Sequence, residues 1–205
     1  MWTVTVNGCR AMPSAVMDKV LPDFAGLVLA GGASSRMGQD KALLVRDGRT
    51  LLEQAVQVLS EAGANPVLVS GDRPAYDCVP DDQPGLGPLS GLLSVLQHRP
   101  GLMHRLLVVM PVDTPGLTAT ALRDLAGAVD EERRGACFQG HPLPLAFRPV
   151  PELIGQIRAL LADGDKASVR RLCDLLAARE LEPGDHDLSN VNTPADWHGF
   201  SEVSA

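Results

Sequence analysis

The sequence predicts an α/β protein: three layers, with an open, mostly parallel sheet between helices. Three observations lead there. Short apolar runs of strand length alternate with amphipathic stretches of about 10 to 14 residues. The runs stop abruptly in turn residues: Ala30 at Gly31-Gly32, Ser70 at Gly71-Asp72-Arg73-Pro74, Met110 at Pro111. A chain of 205 residues is also long enough for one large domain with a substantial core. Sheets of this kind collect ligands at the carboxyl ends of their strands, so function is sought in the loops that follow these runs.

In chain order, Gly26 to Ala30 reads as a buried central strand that breaks into a glycine loop. Leu43 to Val45 is a short extended piece, Asp47-Gly48 a tight turn, and Thr50 to Leu59 an amphipathic helix whose apolar stripe is Leu51, Leu52, Ala55, Val56 and Leu59. Pro66 to Ser70 is a second buried strand, followed by a weaker extended piece at Tyr76 to Pro80. The glycine- and proline-rich loop Asp81 to Gly91 leads into a helix carrying Leu92, Leu93, Val95 and Leu96. Arg105 to Met110 is the clearest central strand, and Thr118 caps a helix running to Val129. Beyond Gly135 the pattern changes. Cys137 to Phe147, with Gly140, Pro142 and Pro144, suits short irregular strands and a turn. Pro151 to Leu161 and Ala167 to Ala178 read as helices, and a short terminal helix includes Trp197. No linker or fixed-period repeat divides the chain, so residues 23–205 are expected to form one domain preceded by an extension, 1–22, of uncertain structure.

Composition removes several classes of function. A net charge of −7 without any Lys/Arg block argues against nucleic acid as the main partner, and 3% aromatic residues leaves too little for base-stacking platforms. A local Arg/Lys pocket can still bind a phosphorylated small molecule against this acidic background. Cys9, Cys78, Cys137 and Cys173 are widely spaced without a CxxC pair, which suits reduced thiols in the cytoplasm better than zinc ligation or a disulfide framework. No apolar run has transmembrane length, and residues 1–22 do not read as a secretory signal.

Four constellations can carry chemistry, each with a plainer alternative. Gly31-Gly32 followed by Arg36 and Lys41 can bring backbone N–H groups and positive charge to a phosphate, or form a glycine-rich turn with two solvated cations. It matches neither GxxxxGK[ST] nor GxGxxG. Asp113, just past the most hydrophobic strand, can supply an oxygen to a hard cation bridging phosphates, or cap a turn with Thr114. Asp81-Asp82 with Gly85, Gly87, Pro88 and Gly91 can wall a planar base, or be a surface loop. Asn190 and Asn192 can orient phosphate or metal-bound water, while Asn-Thr-Pro is equally a helix start capped by Thr193. His141 before Pro142 has no metal partner at recognisable spacing, and Ser34 and Ser35 lack a visible His/Asp relay. His98, His104, His186 and His198 read as ordinary surface or partly buried side chains.

The stretch LAGGASSRMGQDKALL at Leu29 to Leu44 resembles the signature of nucleotidyltransferases that attach a nucleoside monophosphate to a phosphorylated acceptor. From about Asp23 to Trp197 the chain resembles the molybdenum cofactor guanylyltransferases, through DDQPGLGPLSG at Asp81, VMPVDTPGL at Val109, HPLPLAFR at His141 and NVNTP at Asn190. That resemblance implies a Rossmann-like nucleotidyltransferase fold and a magnesium-dependent enzyme that transfers GMP from GTP to the terminal phosphate of molybdopterin, releasing pyrophosphate. Leu29, Ala30, Gly31 and Gly32 would wrap the nucleotide, and Arg36 and Lys41 would face its phosphates. Asp81, Gly87 and Pro88 would lie by the guanine and ribose, and Asp113 would hold magnesium. His141, Lys166, Ser168, Asn190 and Asn192 match the acceptor side. Molybdenum-insertion proteins and molybdoenzymes or their chaperones are the implied protein partners.

Departures from the family pattern are Ser70, where Asn is common and where Asp72 can take over a ribose or base contact, and the loop Gly164 to Ser168, which carries one cation. Gly31 followed by Gly32, rather than the Leu-Ala-Ala-Gly of cytidylyl relatives, tilts the expectation toward guanine. A cytidylyl or sugar-phosphate transferase remains the enzymatic alternative, and a nucleotide-binding adaptor on a degenerate transferase fold the non-enzymatic one.

Overall fold

A computed structural model describes residues 22–31, 40–164, 167–193, 195–197 and 200. In chain order its elements are β1 (Phe24–Leu29), a hairpin of β2 (Val45–Arg46) and β3 (Arg49–Thr50), α1 (Leu51–Ala62), β4 (Val67–Ser70), β5 (Cys78–Val79), α2 (Pro88–His98), β6 (Leu106–Pro111), α3 (Ala119–Ala128), β7 (Gly135–Phe138), β8 (His141–Phe147), α4 (Pro151–Ala162), α5 (Val169–Leu175) and β9 (Arg179–Leu181). Seven strands make one sheet in the order β5-β4-β1-β6-β8-β7-β9. The β5-β4-β1-β6 half is parallel, whereas β8 runs antiparallel to both β6 and β7. The expected three-layer, mostly parallel α/β architecture is therefore the observed one.

Strand β1 shows why the layers form. All six of its residues are buried, and they divide between the two faces of the sheet: Phe24 and Val28 join one core, with Leu52, Leu59, Leu122 and Leu125 of α1 and α3. Ala25, Leu27 and Leu29 join the other, with Leu92, Leu96, Leu153 and Ile157 of α2 and α4. A strand covered on both sides reads as a continuous apolar run because alternate side chains enter different cores.

Local signals set several boundaries. Thr50 and Glu53 form a reciprocal capping box at the start of α1: Thr50 N donates to Glu53 Oε2 at 2.7 Å, and Glu53 N to Thr50 Oγ1 at 3.1 Å. Those bonds from the Thr50 backbone and hydroxyl hold the Glu53 carboxyl below its ordinary value. Thr118 caps α3 as expected, its Oγ1 accepting from Ala121 N. Helix α2 begins earlier than its apolar stripe suggests, with Pro88 at the first helical position, where a missing N–H costs nothing.

The region beyond Gly135 departs most from expectation. Residues Cys137 to Phe147 belong to the hairpin β7-β8, with the expected turn at Gln139-Gly140, Phe138 opposite His141 and an irregular register in the short β7 strand. Gly140 has φ +80°, a conformation that favours glycine. Pro142 and Pro144 are tolerated because the β6 ladder meets β8 only from Leu145 to Phe147, and the β7 register shifts between Cys137 and Phe138. The helix expected over Ala167 to Ala178 shortens to α5; residues 176–178 form a turn that leads into the edge strand β9, parallel to β7. Cysteines far apart in sequence are not all apart in space. Cys137 and Cys173 are buried neighbours, and the Cys137 thiol together with burial pushes the Cys173 thiol up from its ordinary value. Among the described residues no helix is long and apolar enough to cross a membrane.

Candidate active site

A cavity of about 620 Å³ opens at the carboxyl ends of β1 and β6. This is the switch point of the sheet, where the chain has wound outward through β4 and β5 before returning to the other side of β1 as β6. Its floor comes from Leu29, Ala30 and Gly31, and Val112 N donates to Leu29 O at 3.2 Å, so the two strand ends leave the sheet side by side.

Lysine, carboxylate and amide meet there. Asp40 caps the short 3-10 turn Lys41–Leu43 by accepting from Ala42 N, and the buried Ala42 anchors that turn. Lys41 Nζ donates to Asp113 Oδ2 at 3.1 Å and to Asn192 Oδ1 at 2.8 Å, partners 72 and 151 positions away in sequence. The Lys41 and Asp113 side chains are only 15% and 22% exposed, so their attraction is less screened than that of a surface pair. Residues 190–192 lie over the turn that follows β6: Val191 N donates to Asp113 O at 2.8 Å, and Thr114 Oγ1 to Asn190 Oδ1 at 2.7 Å. Asp187 packs so closely on Gly116 that a Cβ there would come within 2.3 Å of its carboxylate.

The capped start expected of Asn-Thr-Pro is present, and Asn190 and Asn192 also line the cavity. Thr193 Oγ1 accepts from Asp196 N, and Asp196 Oδ2 accepts from Asn192 N and Thr193 N at 2.9 and 2.8 Å. The backbone donors at Asn192 and then Thr193 hold the Asp196 carboxyl below its ordinary value, with the Lys41 charge adding to the effect. A capped turn thus aims an amide at the lysine.

The opposite wall is the start of β8. Because β8 is antiparallel to β6, with Val109 opposite Leu145, its first residues lie at the edge where β6 ends. Gly140, His141, Pro142 and Leu143 consequently line the cavity with Asp113. Gly87 and Pro88 complete the lining at the start of α2, whose first turn has no side-chain cap, so the partial positive charge of that helix end faces the cavity.

Of the residues singled out in the sequence, Leu29, Ala30, Gly31, Lys41, Gly87, Pro88, Asp113, His141, Asn190 and Asn192 share this cavity. Gly32, Arg36 and Lys166 lie outside the described residues. Ser70, Asp81 and Ser168 are not among the lining residues, and each has a local occupation. Ser70 is buried beneath α2, its Oγ pressed against Gly91. Asp81 Oδ1 accepts from Ser90 Oγ at 2.6 Å and from Gln83 N at 3.0 Å, folding the loop that precedes Gly87. Ser168 caps α5 by accepting from Arg171 N. Sequence reading missed Asp40, a cavity-lining carboxylate whose only sequence signal is its place beside Lys41.

Among the described residues no group of three or more His, Cys, Asp or Glu side chains could hold a metal unaided. The oxygens around Asp113 nonetheless suit magnesium, which takes one or two carboxylates and completes its shell with waters and substrate phosphates. The charges agree: Lys41 is the lysine among the described lining residues and is already paired with Asp113, so a triphosphate's several negative charges favour a further cation.

Residues 26–181 match the model of the MobA-like NTP transferase domain. The chain belongs to this family. A molybdenum cofactor guanylyltransferase from Xanthomonas euvesicatoria is 40% identical over 180 residues, covering 85% of this chain and 92% of the relative. A probable molybdenum cofactor guanylyltransferase from Opitutus terrae is 41% identical over 188 residues, covering 84% and 92%. The solved structure of molybdopterin-guanine dinucleotide biosynthesis protein A from Archaeoglobus fulgidus superposes with a TM-score of 0.68 at 18% identity, covering 88% of this chain and 98% of that one. The last likeness concerns the fold alone. In this MobA-like NTP transferase domain, the matched region ends at Leu181, before the strap that brings Asn190 and Asn192 to the cavity.

Proposed function

We propose that the protein is a molybdenum cofactor guanylyltransferase, moving GMP from GTP to the terminal phosphate of molybdopterin. The observation that carries this reading is the meeting of Lys41, Asp113 and Asn192 in one cavity, in a chain 40% identical to a relative of that name. A phosphate oxygen of molybdopterin attacks the α-phosphorus of GTP in line. The new P–O bond forms as the bond to the β-phosphate bridging oxygen breaks, and pyrophosphate leaves with that electron pair. No protein nucleophile is needed, because the attacking phosphate is already anionic.

The protein's part is alignment and charge neutralisation. Leu29, Ala30 and Gly31 lie under the nucleotide and Lys41 faces its phosphates; Gly32 and Arg36 are assigned to the same two roles from their motif. Gly87 and Pro88 flank the guanine, and the Asp81 carboxylate supports them by folding their loop. Ser70 supports the nucleotide wall from beneath α2. His141, Asn190 and Asn192 orient the acceptor, Lys166 is the further cation assigned to it, and Ser168 caps α5, which packs against β8. Asp113 would hold magnesium, which when bound neutralises phosphate charge and assists departure of pyrophosphate. The cytoplasm, where triphosphates and reduced thiols are both found, is the proposed compartment, and molybdenum-insertion proteins and molybdoenzymes or their chaperones are the proposed partners.

Calorimetry with GTP, CTP and ATP in magnesium, followed by pyrophosphate release with molybdopterin, tests the reading. GTP is expected to bind most tightly and to yield one pyrophosphate per dinucleotide. Preference for CTP would make the protein a cytidylyltransferase, and no pyrophosphate with any nucleotide would make it a binding protein.

A further inference from the structure

Arg73 does not line the cavity, yet it is tied to two residues that do, Ala30 and Asp40, one on either side of the glycine-rich segment. Its Nη2 donates to the carbonyl of Ala30 at 3.1 Å and to Asp40 Oδ2 at 2.6 Å. Those acceptors lie either side of residues 31–39 in sequence, and the two protons of one nitrogen bridge them. The turn bearing Arg73 also touches the segment's first residue, since a Cβ on Gly71 would come within 3.3 Å of Gly31 N. Asp40 is the next link: its other oxygen caps the turn that carries Lys41.

Stability alone is a poor account of this arrangement. Arg73 Nε is buried without a partner among the described residues, and an orphaned buried donor is destabilising. Charge offers a better one. Asp40 and Asp113 both line the cavity; Lys41 pairs with Asp113, and Asp40 would meet a triphosphate as a like charge. A guanidinium 2.6 Å away, outside the lining, cancels that charge without occupying the space a phosphate needs.

We propose that Arg73 is a positioning residue for nucleotide binding, cancelling the charge of Asp40 and holding the two ends of the glycine-rich segment at the spacing that presents Lys41 to the triphosphate. The proposal rests on the transferase reading and predicts a defect confined to the nucleotide side. GTP and, as a base-free probe, inorganic tripolyphosphate are titrated in magnesium into the full chain and into R73A, R73K, D40N and R73A/D40N. Tm and the KM of each substrate are measured alongside. R73A should weaken both probes about tenfold or more, the scale of a lost charge-assisted hydrogen bond, and raise the KM for GTP but not for molybdopterin. R73K, with charge but no fork, should fall between. Because Asn caps a turn as well as Asp does, R73A/D40N should recover most of the tripolyphosphate affinity that R73A loses.

Unchanged affinities in R73A and R73K, or a lowered Tm and kcat at unchanged affinity, would overturn the proposal, as would a double variant binding no tighter than R73A. A wild-type protein that binds tripolyphosphate but transfers no GMP would sink the transferase reading while the Arg73 comparison still decides. Absence of any binding would overturn both.

Discussion

The parallel half of the sheet, β5-β4-β1-β6, and the far half, β8-β7-β9, in which β8 alone is reversed, bring residues to one cavity by different routes. In the parallel half each contribution follows the carboxyl end of its own strand: Gly31 follows β1 and Asp113 follows β6, so strand and site are adjacent in sequence. On the reversed strand β8 the order is inverted, and His141 reaches the same edge only as the first residue of its strand. The difference teaches that a site residue in such a mixed sheet is found after a parallel strand but before an antiparallel one. It also divides the chemistry, with nucleotide contacts expected from one half and acceptor contacts from the other.

That division can be broken most forcefully at Asp113. Asp113→Ala should lower pyrophosphate release by about three orders of magnitude and abolish its dependence on magnesium, the scale of losing a principal electrostatic stabiliser. An undiminished magnesium-dependent rate would remove Asp113 from the site. Lys41→Ala should cost about a hundredfold in kcat/KM for GTP while the folded content, read by circular dichroism, stays unchanged. Its effect should be smaller in an Asn192→Ala background, because Lys41 and Asn192 act as a hydrogen-bonded unit; strictly additive losses would show that they act independently.

His141→Ala sharpens the comparison from the other half. It should raise the KM for molybdopterin about tenfold and leave that for GTP alone, the expected cost of one lost polar contact. A rise in the GTP value instead would erase the division. The smallest effect is expected at Asp196. Its carboxyl is held below the ordinary value of 3.8, so its contribution to holding residues 192 and 193 is complete above that pH and is lost as the pH falls through the lowered value. Acid unfolding of Asp196→Asn should therefore be less steep below about pH 3.8 than that of the wild type. Superimposable acid limbs would show that the carboxylate plays no part.

Legibility follows the same division. The apolar runs of β1 and β6 and the turn residues behind them stand in plain view, because a strand buried on both faces must be apolar along its length. The β7-β8 hairpin was harder to see, since Pro142 and Pro144 argue against a strand unless the neighbouring ladders are known to be interrupted there. Edge strand β9 begins just past the helix expected over Ala167 to Ala178 and does not read as a strand. Its three residues, Arg179, Glu180 and Leu181, have no strand signal of their own and are ordered by pairing with β7. Ser70, Asp81 and Ser168 show the corresponding gap at the site. Their motifs bring them near it in sequence, whereas burial under α2, a loop fold and a helix cap determine where their side chains go.

By itself the amino-acid sequence determined the layer architecture, the family, and the types of group available for phosphate chemistry, because periodicity and short motifs are local properties of a chain. Only the tertiary structure decided that Lys41, Asp113 and Asn192 form one hydrogen-bonded cluster, that His141 faces it, and that Arg73 joins the two ends of the glycine-rich segment. These contacts span tens to more than a hundred residues, and a pairing at such separation is set by strand order and direction, which no local pattern encodes.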